Sequence, residues 1–99
     1  MVHHIVMWNF KEEILAEDKP RLKADMEANL KSLVGKVPGL LSVDFVKETA
    51  PSSTHEIALI TTLETLEDIK VYASHPAHVA VADTYVRPYT CQRACLDYE

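Results

Sequence analysis

The sequence predicts an α+β domain: a four-stranded antiparallel sheet backed by helices on one face. Three observations lead there. Four segments rich in β-branched and aromatic residues alternate with two regions of helical periodicity, in the order β-α-β-β-α-β. The 99 residues suit a single domain spanning positions 1–99. Two of the strands also carry apolar side chains on both faces, more than helices on one side can cover.

The first strand is HHIVMWNFK, His3–Lys11, too short for a helix and β-rich in composition. Ile5 and Met7 fall on one face, with Val6, Trp8 and Phe10 on the other. Next come Leu22, Met26, Leu30, Leu33 and Val37, whose spacing draws one apolar stripe on a helix. Asp18 is the expected N-cap, with Pro20 in the first turn, where a missing N–H costs little. Glu27 and Lys31 stand in the favourable order for an ion pair one turn apart. Gly35 is expected to end the helix, and Pro38-Gly39 suits a type II turn.

LLSVDFVKE, Leu40–Glu48, is the second strand, alternating Leu41, Val43 and Phe45 against Ser42 and Asp44. After the polar loop TAPSST, the third strand HEIALITTLE sets Ile57, Leu59 and Leu63 opposite Ala58 and Ile60. TLEDIKVYAS is a short helix, with Thr65 and Asp68 spaced as a capping box. HPAHVAVADTYVRPY reads as a further helix of about three turns, stopped by Pro88. YTCQRACLDYE forms the last strand.

This order is the ferredoxin-like arrangement. Its second apolar sheet face needs cover, and the same face of a second copy supplies it. At roughly 25 cal/mol per Å² of apolar surface, such pairing is strongly favoured. Two sheets meeting about a two-fold axis make a dimeric α+β barrel, so a homodimer through the sheet face is expected.

Apolar residues are 47% and charged residues 25% of the chain, with a net charge of −5. Those values argue for a folded protein and against nucleic acid, which needs a clustered basic surface. No apolar run is long enough to cross a bilayer, and the N-terminus has no basic leader, so a cytoplasmic protein without membrane contact is expected. Cys91 and Cys95, placed on one face of an extended strand, would lie about 13 Å apart. That is too far for a disulfide, and both are expected as free, buried thiols.

HHIVMWNFK, the KVPGL turn, HPAHVAVADTYVRPY and the closing LDYE together resemble the stress-responsive A/B barrel (Dabb) family over nearly the whole chain. The resemblance implies a ferredoxin-like protomer and a tight homodimer. Biochemical roles in that family are mostly unassigned. Some plant members are stress-induced, and at least one is a polyketide cyclase performing an intramolecular aldol condensation without a metal.

His75-Pro76-Ala77-His78 admits three readings. It can be architectural, proline setting φ and the histidines capping the helix. It can be a small-molecule site. It can be a metal site, although spacing reveals no third ligand, and neither a metal nor a cofactor is expected. In the small-molecule reading an apolar or aromatic compound sits between sheet and helices, lined by His4, Val6, Trp8, Leu59, Ile69 and His75. Similarity to the cyclase adds roles: His78 as the base and Tyr72 as the donor to an enolate oxygen. His78 near a helix N-terminus is expected to be neutral at pH 7. Two departures count against the cyclase's own substrate. Ile57 stands where that pattern has a histidine, and Trp8 is bulky where a long acyl tail would run.

Overall fold

The computed structural model describes all residues from Met1 to Glu99. Four strands form one antiparallel sheet in the order β2-β3-β1-β4. They are β1 (Val2–Phe10), β2 (Leu40–Val46), β3 (Ile57–Leu63) and β4 (Thr90–Tyr98). Three helices, α1 (Lys19–Lys31), α2 (Leu66–Ser74) and α3 (Pro76–Val81), cover one face, and the chain is α+β ferredoxin-like. No helix is long and apolar enough to cross a membrane.

β1 runs through the centre, between β3 and β4. Its even-numbered residues, Val2 through Phe10, are buried under the helices, and its odd-numbered ones look outward. Ile57, Leu59, Thr61 and Leu63 of β3 share the buried side. From α1 the Leu22–Met26–Leu30 stripe packs on them. That helix ends sooner than its periodicity predicts. The apolar spacing nevertheless persists, because one further α-turn from Leu33 to Val37 keeps both residues in the core. Gly35 and Gly39 take positive φ of 91° and 81° along this descent. Gly39 also lies under the α2 cap, where a Cβ would fall 2.3 Å from the Asp68 carboxyl carbon.

Local chemistry explains most helix boundaries, with one exception. The Thr65 hydroxyl accepts from the Asp68 N–H at 3.3 Å, and the Asp68 carboxylate accepts from the Thr65 N–H at 3.0 Å. Asp18 does not cap α1. A 3₁₀ turn over Ala16–Asp18 leads straight into the helix, so Asp18 already has helical dihedrals and its side chain bonds no helix N–H.

Two strands depart from simple alternation. In β2 the register shifts between Leu40 and Ser42, so Leu40 enters the core and Leu41 is left 40% exposed. In β4 a bulge lies between the Asn9–Cys91 and Met7–Ala94 pairs. Gln92 absorbs it with a φ of 53°. Its side-chain oxygen accepts from Asn9 Nδ2 at 2.8 Å, and its carbonyl from His55 Nε2 at 3.1 Å. An extra residue in a period-two strand reverses the facing of all that follows. Arg93, Cys95 and Asp97 therefore turn toward the helices, and Ala94, Leu96 and Tyr98 turn outward. The cysteines thus lie on opposite faces, Cys91 half-buried and Cys95 exposed, not buried together on one.

The outer sheet face carries Ile5 and Met7, Ala58 and Ile60, and Ala94, Leu96 and Tyr98. Leu96 and Tyr98 are 59% and 48% exposed.

Candidate functional site

The site is assembled where α2 meets α3. His75 lies between the two helices with extended dihedrals, and its Nδ1 accepts from the Ala77 N–H at 3.1 Å. Pro76 follows at the first helical position, where φ suits and no N–H is lost. This cap sets His78 in the first turn, facing back onto α2. Its ring lies 4.1 Å from that of Tyr72, centroid to centroid. The Tyr72 ring in turn meets His4 edge-on at 6.1 Å.

Below the three rings lies a cavity of about 210 Å³ between sheet and helices. Its walls include His4, Val6, Trp8 and Leu59 from the sheet, with Tyr72 and His78 above. Ile69 and His75 do not line it: Ile69 packs against the core, and His75 spends its imidazole on the cap. Leu30, Ala73, Ala82, Val86, Arg87 and Arg93 complete the wall, none of them anticipated from the sequence. Ala82 and Val86 belong to a π-helical turn, Ala82–Val86, that extends α3, closed by the Arg87 N–H on the Ala82 carbonyl at 2.8 Å. Such turns are frequent at functional sites. The volume is below the roughly 300 Å³ at which drug-sized pockets begin, so it suits a compact ring or short chain.

Three polar groups at the cavity are chemically notable. The Tyr72 side chain is 2% exposed, yet its hydroxyl has no hydrogen-bond partner. Desolvation raises its pKa to about 12, so it remains a donor throughout ordinary pH. His78 Nδ1 donates to the Ala73 carbonyl at 3.3 Å, which leaves Nε2 with the lone pair in the neutral ring. Burial lowers the His78 pKa below the ordinary 6.5. The Ala73 bond opposes this, while Arg87, His4 and Arg93 reinforce it. Desolvation and nearby cations therefore keep the ring neutral, where the sequence suggested the helix terminus. His4, the third group, donates from Nδ1 to the Asp97 carboxylate, which orients its ring.

His4, Cys95 and Asp97 place one donor atom each within 4.8 Å of one another and could hold a metal ion. In this structure the His4 nitrogen is engaged by Asp97. Sequence spacing did not reveal this trio. Its members come from two strands paired across the sheet, and the Gln92 bulge is what brings Cys95 and Asp97 to that side.

The fold recurs in solved structures. A dimeric ferredoxin-like protein of unknown function from Bacteroides fragilis is 30% identical over 99% of this chain and 94% of its own, with a TM-score of 0.88. A Dabb family protein from Mesorhizobium loti is 16% identical over 99% and 94%, with a TM-score of 0.74. A hydroxynitrile lyase from Passiflora edulis is 19% identical over 98% and 90%, with a TM-score of 0.71. No curated protein matches the sequence. The sequence pattern described as Stress responsive A/B Barrel Domain matches residues 2–99, and on that match the chain belongs to the Dabb family.

Proposed function

We infer that this chain acts as a homodimer, paired through the outer sheet face, and that each protomer binds a small apolar or aromatic molecule in the cavity beneath Tyr72 and His78. One observation carries the binding reading. A phenol buried to 2% exposure without a partner forgoes a hydrogen bond worth about 1–3 kcal/mol in desolvation, and a ligand acceptor in the cavity would restore it. The dimer is supported by the exposed Leu96 and Tyr98 and by the dimeric relative from Bacteroides fragilis.

Trp8 is the sole tryptophan and lines the cavity, so its fluorescence reports entry. Neutral aromatic fragments should change it saturably. Ala82→Phe, which fills the cavity from the π-helical turn, should abolish the response. A flat titration with every fragment refutes the binding reading.

The pinned tautomer of His78 favours a second reading, a cofactor-free enzyme of the polyketide cyclase type. In it, His78 Nε2 takes the proton from a carbon flanked by two carbonyls. The C–H electron pair moves to a carbonyl oxygen, and the Tyr72 hydroxyl donates to that enolate. The enolate carbon then attacks a second carbonyl of the same molecule, whose oxygen recovers the proton from the imidazolium. No oxidant or metal is needed. The Passiflora edulis relative is named as a lyase, so this fold accommodates catalysis elsewhere. Deuterium exchange at the central carbon of a 1,3-diketone tests the reading. Wild type should accelerate it and His78→Ala should not; equal rates for both exclude His78 as the base.

A further inference from the structure

We propose that the ligand of this cavity is a compact apolar molecule bearing one carboxylate, held by Arg93 with Arg87 beside it; this rests on the binding reading above. The chain as a whole carries −5, yet two arginines stand in the wall of this one cavity. Both also act on His78 as positive charges that disfavour its protonation. They differ in availability. Arg87 is already paired with Asp83 one turn back along its own helix. Arg93 has no salt bridge.

Arg93 is also there by construction. In a regular β4 it would face outward beside Met7, and only the Gln92 bulge turns it inward. Asn9 and His55 hold that bulge from two other segments of the chain. A bulge so clamped, next to a cavity, is the usual device for re-aiming a side chain at a ligand. The planar fork of an arginine matches a carboxylate through two parallel N–H donors. On the same sheet face Val6, Trp8 and Leu59 offer mostly apolar surface to the cavity. The combination selects for a charged head and a short greasy body.

The test uses 3-phenylpropionate and the neutral 3-phenylpropan-1-ol, which share a body and differ in the head, with Trp8 fluorescence as the readout. At low ionic strength the acid should bind wild type about tenfold more tightly than the alcohol, a preference that added salt weakens. Arg93→Gln, at an exposed position, should erase the preference of acid over alcohol. Equal binding of acid and alcohol by wild type, or a preference that survives Arg93→Gln, overturns the carboxylate assignment and leaves the cavity a binding site. Failure of both compounds to bind overturns the assignment together with the binding reading.

Discussion

The Ala73 carbonyl oxygen lies 3.3 Å from Nδ1 of His78, five residues further along, and decides which nitrogen of that ring can act. Nδ1 must donate, so Nε2 holds the lone pair, on a ring whose centroid lies 4.1 Å from that of Tyr72. His78 and Tyr72 thus come from adjacent helices, joined by the His75-Pro76 cap.

Burial and the neighbouring cations hold the His78 pKa below 6.5. A folded-state value below the unfolded one means the unfolded chain binds the proton first. The contribution of His78 to stability is therefore present above 6.5 and is lost as pH falls through that value toward the folded pKa. NMR titration of the His78 ring should give a midpoint under 6.5. A midpoint above 6.5 contradicts the burial argument.

Tyr72→Phe separates stability from function. It removes a buried hydroxyl without a partner and leaves the ring that packs on His4 and His78. Stability should rise by about 1 kcal/mol, which in a domain of this size raises Tm by roughly 4–8 °C. Ligand affinity should fall in the same variant. Calorimetry checks the first effect and the Trp8 titration the second. A lower Tm would mean that the hydroxyl has a partner.

Gly39→Ala should be the more damaging of two glycine substitutions. At Gly35 the only difficulty is a φ of 91°, with open space around the new carbon. That costs about 1–2 kcal/mol. At Gly39 a φ of 81° combines with the Asp68 carboxyl 2.3 Å from the added carbon. Either the α2 capping box opens or the turn moves, and the loss should reach about 2–4 kcal/mol. Urea denaturation of the two variants gives the order, and equal losses would dismiss the Asp68 contact.

Leu96→Glu addresses the assembly. Leu96 faces outward opposite Ile5 and is 59% exposed in the protomer. In the proposed dimer a carboxylate there would be buried without a partner, at a cost of several kcal/mol. Light scattering should find wild type as a dimer at micromolar concentration and the variant as a folded monomer. A monomeric wild type would leave the outer face without the cover proposed for it.

Which parts of this were legible in the sequence follows from the range of the interactions. The Leu22–Met26–Leu30 stripe, the Thr65–Asp68 box and the His75-Pro76 helix start depend on neighbours within a turn or two, and local spacing encodes them. Leu40 and Leu41 could not be assigned to faces that way, nor could Cys91 and Cys95. A bulge is settled by strand pairing, and Gln92 is held by Asn9, 83 residues away, and by His55, 37 residues away. The His4–Asp97 contact spans 93 residues. Since the bulge reverses the facing of Arg93, its place in the cavity wall was hidden, where Val6, Trp8 and Leu59 from the regular strands were plain.

Crystals soaked with compact aromatic and 1,3-dicarbonyl fragments decide whether the cavity takes a ligand. Density is expected for a fragment between sheet and helices, with an acceptor atom about 2.7–3.2 Å from the Tyr72 hydroxyl. Fragments seated only on the outer surface, with the Tyr72 hydroxyl bonded to the protein itself, would contradict it.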